Sequence, residues 1–185
     1  MDAEEDSDEM LVKRAIAGDR AGFAALVSRH YDLIFKVAFK WCGSKEDAED
    51  IAQDVCVRLG QAIAKYDGEA RFTTWLYRVV LNATRDHQRK QDTNLKKLAD
   101  FAREPSAHDA ATLDCEAEND ALDNLWRAVR LLPPRQCDAV MLVFAEDMTH
   151  GEAAKVMGCA EGTVSSNIHD AKKKLKELLL EEARI

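Results

Sequence analysis

Proline, glycine and paired cysteine are all scarce in this 185-residue chain. Three prolines and eight glycines leave few places where a helix must stop. Much of the remainder is Ala, Leu, Lys and Glu, residues that lose little on entering a helix. No segment reads as a strand. The five cysteines, Cys42, Cys56, Cys115, Cys137 and Cys159, form no CxxC pair. That argues against a disulfide scaffold and suits a reducing cytoplasm. Neither they nor the five histidines show metal-ligand spacing; His150 and Cys159 merely flank one helix. No apolar run approaches the ~20 residues of a membrane span. The opening MDAEEDSDEM is acidic where a targeting leader would be basic. There is no phosphate-binding glycine loop and no Ser/His/Asp set. No enzyme, metal, cofactor, small-molecule substrate or membrane insertion is therefore expected.

What is present is charge, unevenly spread. The net charge of −8 and pI near 5.2 argue against a simple nucleic-acid coating protein. Residues 1–10 hold six acids and no base, whereas residues 71–103 hold eight Lys/Arg against three acids. Residues 104–123 then hold seven acids and no base. Local charge therefore says more than the average.

Helical periodicity organises the chain. A first segment starts near Asp8, with Leu11 and Ala15, and stops at Gly18. Asp19 caps a second, on which Phe23, Leu26, Val27, Tyr31, Ile34 and Phe35 share a face up to Trp41. Ser44 opens a third, with Asp47 in a shortened capping box and Ala48, Ile51, Ala52, Val55, Leu59 and Ile63 inward. Tyr66-Asp67-Gly68 breaks the pattern. A fourth helix turns Phe72, Trp75, Leu76, Val79 and Ala83 inward and ends near Gln91. Residues 92–119 have poor periodicity and read as an acidic linker or, given Leu95, Leu98 and Phe101, a partly helical connector. From Asp120, Leu122, Leu125, Trp126, Val129 and Leu132 make one face. Pro133-Pro134 starts the next helix, with Cys137, Val140, Met141 and Phe144 on its face. Thr149 and Glu152 form a full capping box, Gly158 a left-handed stop, and Val164, Ile168, Ala171, Leu175 and Leu179 the last stripe. The expected fold is all-α: two small helical domains, a four-helix domain at 1–91 and a helix-turn-helix domain at 120–185, joined by the linker.

Three constellations carry function. The helices around Gly158 fit a helix-turn-helix whose second helix enters the major groove, or a plain helical hairpin with a solvated lysine run. On the fourth helix, Arg78, Asn82, Arg85, Asp86 and Arg89 share one face, suited to phosphates and base edges. Tyr66, Phe72, Trp75 and Tyr77 could support an unstacked base, though Phe72 and Trp75 read better as core. The segment DAEDIAQDV turns Asp47, Asp50, Gln53 and Asp54 outward, either to solvent or to a basic partner helix.

In this order the three blocks resemble a bacterial RNA polymerase sigma factor of the extracytoplasmic-function (ECF) type, over roughly Leu11 to Leu180. DAEDIAQDV resembles the family's D-A-E-D-hydrophobic-x-Q-E/D motif, which implies that Asp47, Asp50, Gln53 and Asp54 bind core RNA polymerase. FTTWLYRVVLNATRDHQRK resembles F-x-x-W-L-x-R-I-x-x-N-x-x-x-D-x-x-R-R. This implies that Arg71, Arg78, Asn82, Arg85, Asp86, Arg89 and Lys90 melt and read the minus-ten promoter element. The loop 67–71 falls where the family traps a flipped base, whose unstacking costs a few kcal/mol. LLPPRQCDAVMLVFAEDMTHGEAAKVMGCAEGTV resembles the family's L-P-x-x-x-R stretch and helix-turn-helix. It implies minus-thirty-five contacts by Arg135, Thr163, Ser165, Ser166, Asn167, His169, Lys172 and Lys173. Here the chain departs from G-T-V-K-S-R-L-x-R-A-R: two or three basic positions are lost, Asp170 is acidic, and Ala160 stands where a capping Ser or Pro is common. Fewer phosphate contacts imply weaker, less salt-dependent DNA binding by this domain. The resemblance implies an alternative sigma factor in the cytoplasm, with core polymerase, promoter DNA and an anti-sigma factor as partners. The competing expectation is a sigma-like decoy that occupies an anti-sigma factor and binds no promoter.

Overall fold

The structure is a computed structural model that describes residues 7–101 and 120–182. Among these residues every regular element is helical, and they fall into two compact units.

In the first unit α1 spans Asp8–Ile16, α2 Arg20–Cys42, α3 Lys45–Ala62 and α4 Phe72–Phe101, with a 3₁₀ turn at Ile63–Lys65. The expected caps form. Asp19 accepts from Ala21 N at 2.9 Å and Ser44 from Asp47 N at 3.3 Å, each satisfying an otherwise orphaned donor. Gly43 ends α2 at φ 76°, in the left-handed region glycine enters without strain. The core is Leu11, Leu26, Ile34, Ile51, Val55, Leu76 and Val80, all fully enclosed. Each contributes about 1.5–3 kcal/mol by leaving water.

In this unit the chain differs from expectation in three places. Tyr31 is exposed, and with half-buried Phe23, Val27 and Cys56 it lines an open groove of about 560 Å³ between α2 and α3. On α4, Trp75 and Val79 are only half-buried, and Tyr77, Val80 and Leu81 share the interior with Phe72, Leu76 and Ala83. And α4 runs on to Phe101, ten residues past its expected end at Gln91. Residues 91–97 are all exposed, so no apolar face marks them, yet no Gly or Pro stops the helix before Pro105. The rest of the expected linker, 102–119, lies outside the described residues.

In the second unit α5 spans Asp120–Arg130, α6 Pro134–Val140, α7 His150–Met157 and α8 Glu161–Glu182. Thr149 and Glu152 close the capping box, with Glu152 N donating at 3.2 Å and Thr149 N at 3.0 Å. Gly158 takes φ 63°, and α8 turns away behind it. Ala128, Val129, Leu142, Ala153, Val164 and Ala171 fill the centre. Leu122 and Leu179, expected on inward faces, are exposed, and so is Phe144, at 51%. The reason for Phe144 is local: α6 passes into a π turn at Met141–Ala145, whose wider winding carries this ring out of the α-helical phase.

Candidate protein and nucleic-acid interfaces

The acidic segment on α3 divides in two. Asp50 and Gln53 are exposed, and Val57 beside them is 74% exposed. Asp47 and Asp54 are half-buried, and Asp47 reaches α4. Asp47 Oδ1 accepts from Gln91 Nε2 at 2.8 Å and lies 3.0 Å from His87 Nε2. Asp54 pairs with Arg58, four residues on, at 2.7 Å. Arg58 also donates to Asp86 on α4 at 2.8 Å. His87, Gln91, Arg58 and Asp86 take part in links between the two helices, while Asp50 and Gln53 on α3 stay exposed.

The α4 stripe lies open. Arg78, Asn82, Arg89 and Lys90 are exposed, and Arg85 is half-buried. Asp86, expected in the same set, spends part of its charge on Arg58. Arg71 stands exposed where the preceding loop joins α4.

That loop is built by aromatic packing. Tyr66 Oη donates to Ala70 O at 2.6 Å and closes it, and Asp67 Oδ1 accepts from Glu69 N at 3.0 Å. Gly68 supplies the turn at φ 78°. Tyr66 meets Phe72 edge-on at 5.8 Å and Trp75 at 5.5 Å, while His30 packs on Phe72 at 5.2 Å. Partial burial, then the carboxylates Asp67, Glu9 and Asp8, push the Tyr66 phenol above its ordinary range, so it stays a donor. Phe72 is buried, and its ring serves the core. A hollow of about 750 Å³ separates the loop from α1, rimmed by Asp8, Glu9, Lys13, Asp67, Glu69 and Arg71. Asp8 fastens α1 to α2, lying 3.0 Å from both Arg29 Nη1 and His30 Nε2. Partial burial pushes the Asp8 carboxyl up, but Arg29 and His30 outweigh it and hold the group below its ordinary value.

On α8, Thr163, Ser165, Ser166, His169, Lys172 and Lys173 are exposed, as is Arg135 at the start of α6. Asn167 turns back on its own helix, donating to Thr163 O at 2.7 Å. Ser165 Oγ lies 3.0 Å from His150 Nδ1 on α7. Lys172 Nζ stands 5.6 Å over the Phe144 ring. Sequence reasoning missed Arg58, His87 and His150 as members of these surfaces. Arg58 had a signal, its i, i+4 spacing from Asp54. His87 has Gln91 four residues on along α4, but its link to Asp47, like that of His150 to Ser165, joins different helices and left no signal. Among the described residues no three His, Cys, Asp or Glu converge to hold a metal, and no helix is long and apolar enough to cross a membrane.

These features define an all-helical binding protein with a helix-turn-helix in its second unit. The family profile described as Sigma-70 region 2 matches residues 26–93, and the one described as Sigma-70, region 4 matches residues 122–175. The chain is 30% identical over 182 residues to the ECF RNA polymerase sigma factor SigM of Mycobacterium tuberculosis, covering 95% of this chain and 86% of that protein. It is 26% identical over 183 residues to the ECF RNA polymerase sigma factor SigW of Bacillus subtilis, covering 92% and 98%. In fold it is similar to a chain from the structure of CnrH in complex with the cytosolic domain of CnrY. The TM-score is 0.65 at 24% identity, covering 94% of this chain and 97% of that one. It is likewise similar to a chain from the complex of the sigma factor RpoE with the anti-sigma factor NepR from Bartonella quintana. There the TM-score is 0.66 at 22% identity, covering 85% and 96%. The chain belongs to the ECF RNA polymerase sigma factors.

Proposed function

We propose that this sigma factor docks on core RNA polymerase through α3 and opens the minus-ten element with α4 and the loop before it. The second unit reads the minus-thirty-five element through α8, with few cations and so with modest strength. The observation that carries the reading is that one unit presents Asp50 and Gln53 on α3 and Arg78, Asn82, Arg89 and Lys90 on α4, all to solvent. Binding free energy from both faces offsets the cost of unstacking, and no covalent chemistry is involved. The site of action is the cytoplasm, with polymerase. An anti-sigma factor is the assigned regulator. The groove beside Tyr31, and separately the exposed Val57, Leu131 and Phe144, give it apolar ground to grip.

The test is transcription in vitro with core polymerase on genomic fragments, sequencing transcript starts. The wild-type chain initiates at a defined promoter set. Asn82→Ala and Arg85→Ala keep polymerase binding and lose promoter opening. Asp54→Lys loses polymerase capture by tenfold or more, about 1.4 kcal/mol or beyond. Normal initiation by the α4 variants, or unchanged co-purification of Asp54→Lys, overturns the assignment of the respective face. Polymerase binding without initiation anywhere favours the decoy.

A further inference from the structure

Arg58 belongs to neither proposed face, yet it touches both. Its Nη2 stands 2.7 Å from Asp54, on the proposed polymerase side, and its Nη1 stands 2.8 Å from Asp86, within the proposed DNA stripe. A planar guanidinium fork can hold two carboxylates at once, which an ammonium on a flexible stem does poorly. The arrangement is half open to water, with side-chain exposures of 44% for Asp54, 35% for Arg58 and 44% for Asp86. Ion pairs this wet add little to stability and are easily exchanged for an incoming partner. A second link, from Asp47 to His87 and Gln91, keeps α3 and α4 in register without Arg58.

We infer that Arg58 is a positioning residue that couples polymerase capture to promoter binding. The inference rests on the two faces assigned above. In the free chain Arg58 divides its charge between two acids, and Asp86 stays partly anionic beside the path of the phosphates. A cationic polymerase group that takes Asp54 releases Arg58 to Asp86 alone. Asp86 is then neutralised, and the α4 stripe repels DNA less. By thermodynamic linkage, DNA must strengthen polymerase binding by the same factor. Exposed pairs of this kind set that share of the coupling at about two- to fivefold.

The experiment measures the affinity of the full chain for core polymerase with and without a single-stranded non-template minus-ten fragment, taken from a promoter mapped by transcription. The readout is the ratio of the two affinities. In Arg58→Gln the ratio falls about two- to fivefold. In Asp86→Asn it falls similarly, and adding Arg58→Gln to Asp86→Asn lowers it no further. A merely structural Arg58 would lower the melting temperature or weaken both affinities equally, leaving the ratio at its wild-type value; that result overturns the inference. If Arg58→Gln fails to fold, Asp86→Asn alone decides, and an unchanged ratio refutes the coupling. A wild-type chain that binds both polymerase and fragment with a ratio of one also refutes the coupling, whereas a chain that binds neither means instead that the assignment of the faces has failed.

Discussion

Gly22 and Gly60 both lie inside helices of the first unit, and the same substitution should move stability in opposite directions. Alanine is favoured over glycine in a helix interior by ~1 kcal/mol. At Gly60 nothing opposes this, because an added Cβ would have only Phe23 Cζ nearby, at an ordinary 3.8 Å. Gly60→Ala is therefore expected to stabilise the chain by up to about 1 kcal/mol. At Gly22 an added Cβ would stand 2.7 Å from Arg14 Cβ, a separation that atoms do not tolerate. Arg14 cannot swing its Cβ away, since that atom is fixed to α1. The helices must therefore separate, which also stretches the 2.8 Å pair between Arg14 and Asp19. Overpacking of this kind costs about 1–3 kcal/mol. Separation also re-exposes Leu11 and Val12, now 2% and 3% exposed. With the propensity gain credited, Gly22→Ala is expected to lose about 1–2 kcal/mol. The melting transition of a unit this size then falls by about 4–8 °C for each kcal/mol. Circular dichroism and calorimetry on the full chain measure it. A Gly22→Ala protein that melts at or above the wild-type temperature refutes the contact between α1 and α2.

Thr149→Ala removes one half of the capping box and should cost about 0.5–2 kcal/mol, read as a lower denaturation midpoint of the helix-turn-helix unit. Asp8 gives a pH signature. Its folded carboxyl lies below the ordinary 3.8, so its stabilising share is present above that value and is lost as pH falls through the lower folded value. Asp8→Asn should therefore lose less than about 1 kcal/mol at neutral pH and show a shallower loss of stability below pH 4, followed by denaturant titrations across the acid range. An acid limb identical to wild type refutes the clasp.

What the residue string determined by itself is short-range. Ser44, Asp19, Thr149 and Glu152 cap helices through bonds spanning two or three residues, and Gly43 and Gly158 end them through their own backbone. The inward stripes follow from a repeat of 3.6 residues. Such signals need no knowledge of what packs where, so the helix order, the capped turn around Gly158 and the open stripe on α4 were legible. Tertiary structure decided the rest. The exposed tail of α4 has no apolar face and so leaves no periodic trace. The π turn that expels Phe144 is a change of winding that composition does not mark. Arg58 paired with Asp86, Asp47 held by His87 and Gln91, and His150 set on Ser165 each join residues 15 to 44 positions apart. Those meetings depend on which helix faces which, and only the packed core sets that.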